Sequence, residues 1–242
     1  MVNHSDLIQL LPKGVNCHFF DSIDSTNDFL LNIANSTNID VCITNEQTKG
    51  RGQKGRKWYG YKGGSILLSI KRSFPLSCNL NGLSLVVGIA IIDLLEQKYK
   101  IKNLKLKWPN DIYYTDKKLA GILIENQVYK SNQYTVIGLG LNCNIAYDFN
   151  KDIKWIDLTQ ILKKTPNITE LAAEIIKSIL NYCQIFENLG FKTFQPKWQR
   201  VDYLFNKHIT IKNQSGVVRG ITNDGGLKLQ IKDDVKIFYS KE

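Results

Sequence analysis

Residues 46–58 read Glu-Gln-Thr-Lys-Gly-Arg-Gly-Gln-Lys-Gly-Arg-Lys-Trp, and they indicate more about fold and ligand than any other stretch. Three glycines stand here among five lysine and arginine side chains. Glycine permits positive φ and lets the backbone approach a ligand closely. Lysine and arginine supply charge and donors for phosphate or carboxylate groups. The segment therefore predicts a loop that closes over an anion, with a solvated basic turn as the simpler alternative.

The same loop contains the pattern G-x-G-x-x-G at 50–55, which is typical of dinucleotide-binding folds when a strand precedes it and a helix follows. Residues 41–44 are apolar enough for the strand, but residues 56–64 have no apolar stripe at helical spacing. A phosphate loop would require Lys-Ser/Thr where Arg56-Lys57 stands. The sequence thus predicts another kind of anion-binding loop, mobile until a ligand orders it.

Composition bounds the class of protein. The chain has 242 residues, 43% of them hydrophobic, which suits one large domain or a main domain with a small appendage. No apolar run approaches the ~18 residues of a membrane span, and the N-terminus lacks a signal-peptide pattern. Five cysteines without a C-x-x-C pair favour reduced thiols in a cytoplasm over a structural zinc site. The net charge of +10 admits nucleic acid, acidic protein or a phosphorylated ligand, but its even spread decides between none of them.

The order of apolar patterns predicts an α+β fold, in which a mixed or antiparallel sheet is covered by helices on one face. A Ser-Thr-Asn cap starts a first helix at about residue 29, and residues 145–160 read as a polar loop around Trp155. Strands are predicted at 18–23, 41–44, 64–71, 112–114, 117–125 and 134–142, and further helices at 83–99, 169–189 and 194–205.

The pattern changes near the C-terminus. From residue 209 onward, short alternating strands are separated by turns at 213–216 and 223–226. They predict a small β-barrel that is too small to form a large core of its own and must pack against the main domain. We therefore expect a main domain over 1–206 and a small C-terminal β domain over 207–242.

Four further motifs accompany the loop: Ser-Thr-Asn at 25–27, Lys-Trp-Pro-Asn-Asp at 107–111, Lys-Leu-Ala-Gly at 118–121, and Gly-x-Gly-x-Asn at 138–142. Singly, each has a plain explanation as a helix cap, a turn, a solvated strand end or a close packing site. As an ordered set they resemble the biotin–protein ligases, enzymes that attach biotin to biotin-dependent carboxylases. The resemblance runs from about residue 18 to the C-terminus and includes Trp-Gln-Arg-Val-Asp at 198–202.

The resemblance implies a biotin/lipoate ligase-like catalytic domain followed by an SH3-like barrel, and a two-step reaction. Biotin is activated by ATP to biotinyl-5′-AMP, and a lysine of the biotin carboxyl carrier protein of acetyl-CoA carboxylase then takes the biotin. The implied cofactors are biotin as substrate, ATP, and Mg²⁺ held mainly by the ATP phosphates rather than by fixed protein ligands. A cytoplasmic enzyme is implied, compatible with a homodimer formed through the sheet edge and with no membrane contact.

Residue roles follow from the same resemblance. Lys118 and Arg51 are the catalytic cations between carboxylate and α-phosphate, and Asp111 orients the acceptor amine or a metal ion, two roles that the sequence does not separate. The implied biotin-binding residues are Ser25, Thr26, Asn27, Gln47, Gly50, Arg51, Gly52, Gln53, Lys118, Gly138 and Gly140. The implied ATP-binding residues are Arg51, Arg56, Lys57, Trp58, Asn110, Asn142 and Trp155.

One position departs from the family. Its loop often reads Gly-Arg-Gly-Arg, whereas Gln53 stands at the fourth position here. Because glutamine lacks the charge of arginine, we expect a weaker hold on the adenylate and modestly greater release of it. About seventeen residues precede the first matching strand, so we expect no sequence-specific DNA binding.

Three other functions are compatible with parts of the pattern. A lipoate–protein ligase shares the fold and the adenylation chemistry, although the loop and the 107–111 motif favour biotin. A non-catalytic biotin or nucleotide sensor would bind ligand without transferring it, against which Lys118 and Arg51 weigh. A general nucleic-acid binder rests on charge alone and would bind with strong salt dependence.

Overall fold

A computed structural model of the chain describes residues 1–35, 38–145 and 154–240. Its larger sheet has seven strands, in the spatial order β1-β2-β3-β7-β6-β5-β4. These strands are β1 (Val15–Phe20), β2 (Ile39–Thr44), β3 (Ser65–Pro75), β4 (Leu104–Lys107), β5 (Asp111–Tyr114), β6 (Lys117–Tyr129) and β7 (Asn132–Asn142). The pair β1–β2 is parallel and the other neighbours are antiparallel. The prediction of a mixed sheet is confirmed.

Six α-helices accompany the sheets in the described ranges, with short 3₁₀ turns at Gln53–Gly55 and Phe191–Phe194. The helices are α1 (His4–Leu10), α2 (Thr26–Asn32), α3 (Leu83–Tyr99), α4 (Leu158–Leu162), α5 (Ile168–Leu189) and α6 (Gln195–Val201). Among them, none combines the length and apolarity needed to cross a membrane.

Helices pack on both faces of the sheet, so the prediction of a single covered face is wrong. Val41 and Ile43 of β2 belong to the main core, which also contains residues of α3 and α5. Cys42, between them, points to the opposite face, where it joins Leu30 of α2 and Val136 of β7. Successive side chains of a strand point to opposite faces of the sheet. Since Val41, Cys42 and Ile43 are successive and all buried, both faces of β2 are covered.

Several predicted bounds shift. The predicted helix at 194–205 ends at Val201, because the Asp202 carboxylate accepts the backbone N–H of Leu204 at 2.8 Å and offers a turn instead. The polar stretch at 145–160 contains α4, started by the Asp157 carboxylate, while residues 146–153 lie outside the described ranges. The turn predicted at 213–216 is found at residues 212–213.

The C-terminal strands form a separate antiparallel sheet in chain order: β8 (His208–Ile211), β9 (Gln214–Ile221), β10 (Leu227–Ile231) and β11 (Asp234–Phe238). The β8–β9 turn is at Lys212-Asn213, both with positive φ. The sheet leans on the main body, as expected, since Leu227 and Leu229 belong to the main core and Trp108 Nε1 donates to Gly225 O at 3.1 Å. The predicted small β domain is confirmed, and its boundary after residue 206 stays a prediction.

Candidate active site

A cavity of about 300 Å³ opens where the glycine-rich loop, α2 and strands β5 to β7 meet. Most of the residues expected to bind ligand line it, although they come from four separate parts of the chain. These lining residues are Ser25, Thr26, Asn27, Gln47, Arg51, Gly52, Gln53, Arg56, Lys57, Trp58, Asn110, Asp111, Lys118, Gly138 and Gly140. The motifs that resemble one family thus converge on one site.

Three expected residues lie beside the cavity rather than in its walls. Gly50 closes the glycine-rich loop, since its carbonyl accepts the N–H of Trp58 at 2.9 Å. Asn142 ends β7, and its Nδ2 donates to Ile156 O at 3.2 Å. The segment around Trp155 runs alongside Lys118, whose backbone N–H and carbonyl both pair with it. The roles of Asn142 and Trp155 toward adenine stay predictions.

One end of the cavity is polar because the start of α2 lies against the segment that follows β2. Ser25 is the N-cap of α2 and accepts from Asp28 N at 3.3 Å. Gln47 Oε1 accepts from both the backbone N and the hydroxyl of Thr26, at 2.8 and 3.1 Å. The buried Ser69 hydroxyl lies 2.7 Å from Thr26 Oγ1. Such a fixed set of donors and acceptors suits a ligand ring that carries heteroatoms.

Glycines form the floor, where β6 and β7 pair with Gly121 opposite Gly140 and Leu123 opposite Gly138. A Cβ atom at Gly138 would overlap Asn27 Oδ1, and one at Gly140 would overlap the Trp58 indole. At Gly121 it would come within 2.8 Å of the same indole. Glycine is required here by close approach and not by backbone conformation.

An ion pair stands at the far side of this floor. Lys118 Nζ lies 2.8 Å from Asp111 Oδ1, without the alignment of a hydrogen bond. The same ammonium lies 5.3 Å from the centroid of the Trp58 ring. Both charged side chains are mostly withdrawn from solvent, at 22% and 17% exposure. A partly desolvated cation interacts more strongly with an incoming anion than one in open water.

Arg51 holds the second cationic position. Its guanidinium donates to both carboxylate oxygens of Glu125, each at 3.0 Å, and to Asp28. Burial lowers the pKa of Arg51, but the hydrogen bonds and charges of Glu125 and Asp28 outweigh burial and raise it. The guanidinium is therefore always charged and oriented.

The glycine-rich loop is folded back on itself. Gly52 N donates to Arg56 O at 2.6 Å, and Arg51 pairs with Lys57 as an antiparallel bridge. In the intervening turn Gly55 has a φ of 71°, a conformation that glycine adopts without steric cost. Gln53 turns outward, since its Nε2 donates to Ser240 Oγ of the C-terminal segment at 3.3 Å.

Sequence reasoning missed four residues that shape the site: Asp28, Ser69, Gly121 and Glu125. A signal was present for two of them. Alternation along the predicted strand at 117–125 places Gly121 and Glu125 on one face, and Gly121 stands within the quoted Lys-Leu-Ala-Gly motif. The contacts of Ser69 and Asp28 depend on pairings between distant segments.

Comparisons with known proteins agree with this geometry. The model of the biotin/lipoate A/B protein ligase family matches residues 19–142. The bifunctional ligase/repressor BirA of Escherichia coli K12 is 34% identical over 229 residues, covering 91% of this chain and 71% of that protein. The biotin–[acetyl-CoA-carboxylase] ligase of Mycobacterium tuberculosis H37Rv is 32% identical over 181 residues, covering 71% and 66%.

A solved structure gives the same result in three dimensions. The biotin protein ligase of Aquifex aeolicus in complex with biotin and ATP superimposes with a TM-score of 0.78 at 27% identity. The superposition covers 93% of this chain and 96% of that one. With the family model matching half of the sequence and the motifs gathered in one cavity, the chain belongs to the biotin/lipoate A/B protein ligase family, among the biotin–protein ligases.

Proposed function

We propose that the cavity activates biotin with ATP to biotinyl-5′-AMP and transfers the biotin to a lysine of a biotin carboxyl carrier protein. The observation that carries this proposal is the position of two oriented cations, Lys118 and Arg51, on a cavity that also has a polar end and a glycine floor. Biotin matches such a cavity, since it combines a ureido ring with an apolar tail and a terminal carboxylate.

Binding comes first. The ureido ring enters the polar end formed by Ser25, Thr26 and Gln47, and the tail crosses the floor at Gly138 and Gly140. The missing Cβ atoms there let the Asn27 side chain and the Trp58 indole lie against the strands, so these two side chains border the path of the tail. The hydrogen bonds between Thr26 and Gln47 fix the polar end before ligand arrives, which lowers the cost of binding.

In the activation step, a carboxylate oxygen of biotin attacks the α-phosphorus of ATP. The bond from α-phosphorus to the bridging oxygen breaks, and pyrophosphate leaves with that electron pair. Two unit anions 4 Å apart repel by about 4 kcal/mol at an effective dielectric constant of about 20. Lys118 and Arg51 offset this repulsion by lying beside the two reacting groups. Positioning and charge neutralisation therefore supply most of the catalysis.

In the transfer step, the neutral amine of the acceptor lysine attacks the carbonyl carbon of the mixed anhydride. An amide bond forms, the bond to the phosphate oxygen breaks, AMP leaves, and the amine proton passes to solvent. Lys118 stabilises the negative charge that grows on the carbonyl oxygen. Asp111, 2.8 Å from Lys118 Nζ, positions that ammonium.

Mg²⁺ accompanies ATP in this scheme. Across residues 1–35, 38–145 and 154–240, no group of three or more His, Cys, Asp or Glu side chains is placed to hold a metal ion. Asp111, on the cavity wall, is already paired with Lys118. We propose, as the resemblance implies, that the ion is held mainly by the ATP phosphates, where it neutralises their charge.

Biotin-dependent exchange of pyrophosphate into ATP tests the activation step without any acceptor. We expect exchange with biotin and not with lipoate, and a fall of about 10²–10³ in rate for Lys118→Ala, since a donor to developing charge is lost. Lys117→Ala, an exposed lysine one position away, is the matched control and keeps the wild-type rate. Biotin binding without exchange would favour a sensor, and exchange with lipoate alone would favour a lipoate ligase.

A further inference from the structure

Glu125 on β6 contacts two different parts of the site at once. Asn27 Nδ2 donates to Glu125 Oε2 at 2.7 Å. The Arg51 guanidinium donates to both Glu125 oxygens at 3.0 Å, in the two-pronged geometry that arginine and carboxylate favour. The Glu125 side chain is 21% exposed, so water competes only in part for these bonds.

The contact with Asn27 fixes which way its amide points. Ser69 Oγ donates to Asn27 Oδ1 at 2.5 Å, while Nδ2 donates to Glu125. The Ser69 hydroxyl can donate or accept, but a carboxylate only accepts, so a flipped amide would set its oxygen against Glu125 and lose that bond. The orientation of Asn27, directly above the Gly138 floor, thus depends on Glu125.

The contact with Arg51 fixes the glycine-rich loop. Arg51 is the loop residue that reaches back to the sheet through Glu125 and to α2 through Asp28. Arg51 also pairs with Lys57 in the loop's own bridge, so holding its side chain holds the turn. Asp28 is 46% exposed, which makes Glu125 the better shielded of the two carboxylate anchors.

We propose that Glu125 is a positioning residue that joins the biotin-ring end of the site to the phosphate end. Its carboxylate sets the Asn27 amide and tethers the loop through Arg51, so both are in place before the substrates meet. The expected change in KM for biotin rests on the proposed function. The tether, which is the contact of Glu125 with Arg51, exists in the free protein and does not depend on that function.

Glu125→Gln tests both parts. The variant keeps the side-chain size and one acceptor oxygen but loses the charge. The two-pronged bond to Arg51 therefore weakens, and Arg51 and Asn27 compete for the one remaining acceptor oxygen. We expect KM for biotin in pyrophosphate exchange to rise about tenfold, with a smaller change in kcat. Glu170→Gln, on an exposed residue of α5, keeps the wild-type KM for biotin. Asp28→Asn, which removes the other carboxylate from Arg51 without touching the Asn27 amide, raises KM for biotin less than Glu125→Gln does.

A second measurement needs no activity. Trypsin should cut the loop at its lysines and arginines faster in ligand-free Glu125→Gln than in wild type, by at least threefold. Trypsin should cut Glu170→Gln, which has the same charge change on an exposed residue of α5, at the wild-type rate. Asp28→Asn also speeds cleavage, since it loosens the same arginine.

The two readouts separate the claims. Wild-type KM for biotin together with wild-type cleavage in Glu125→Gln would overturn the positioning role, and so would an equal rise of KM in Asp28→Asn. A wild-type enzyme without biotin-dependent exchange would overturn the proposed function, and the cleavage comparison would still decide the tether.

Discussion

At the scale of single residues, Gln53 distinguishes this loop from the usual family sequence. It lines the cavity and bonds Ser240 of the C-terminal segment through a long, exposed contact. Arg56 and Lys57, also on the cavity wall, are the nearby cations that could replace the missing charge. Since neither occupies the position itself, we keep the expectation that the adenylate is held less firmly.

Gln53→Arg should reduce the biotinyl-5′-AMP that escapes into solution during activation without acceptor. The arginine adds a cation at the cavity wall, and the effect should be modest, about two- to fivefold, as for a solvent-exposed ion pair. Free adenylate separated by chromatography is the measure. Gln53→Met, similar in size but without charge or donor, should release at least as much as wild type. Equal release by wild type and Gln53→Arg would contradict the idea.

Residue types reveal some roles and hide others. Lys118, Arg51 and Asp111 could be named as candidate site residues because each stands in a motif that carries the resemblance, and all three line one cavity. The positioning role of Glu125 could not, because its bond to Asn27 joins residues 98 positions apart and exists only once α2 packs on the sheet. The pairing of Gly140 with the Trp58 indole is hidden for the same reason.

At the scale of elements, α2 carries the polar end of the site, and Ser25 is both its N-cap and an expected biotin contact. Ser25→Ala should lower the free energy of unfolding by about 1 kcal/mol, because a helix cap is lost. Ser25→Asp should restore that stability, since aspartate caps well. If the hydroxyl also binds biotin, neither variant recovers affinity in calorimetric titration. Recovery of affinity by aspartate would mean that Ser25 acts as a cap alone.

The course of the chain was easier to predict than the layering. The helix at 83–99 is where the sequence places it, because a mostly apolar stretch of helical length lies there between turn signals. The cover on the second face was missed, since Cys42 and Val136 are too few to stand out as a buried stripe. The end of α6 was misplaced because the backbone contact of Asp202 competes with the helix in a way that helical spacing does not show.

At the scale of the whole molecule, one core extends from the large sheet into the C-terminal strands. Val218 and Leu227 pack in the same cluster as Leu85 of α3, and Trp108 bonds Gly225 across the junction. We therefore expect one cooperative unfolding transition in urea. Trp108→Phe should lower stability by about 1 kcal/mol through the lost donor. Two separate transitions, or an unchanged midpoint after removal of residues 207–242, would show that the C-terminal strands are energetically independent.

Both claims about chemistry, activation and transfer, meet in a single experiment. The protein is incubated with ATP, magnesium, biotin and a biotin carboxyl carrier domain, and the carrier is weighed by mass spectrometry. We predict a gain of one amide-linked biotin that requires ATP and persists in Lys117→Ala. The gain is absent in Lys118→Ala over the time that the wild type needs for completion, because the rate falls by about 10²–10³. A carrier that stays unmodified while biotin still binds would contradict the ligase account, and modification that survives Lys118→Ala would contradict the role given to that lysine.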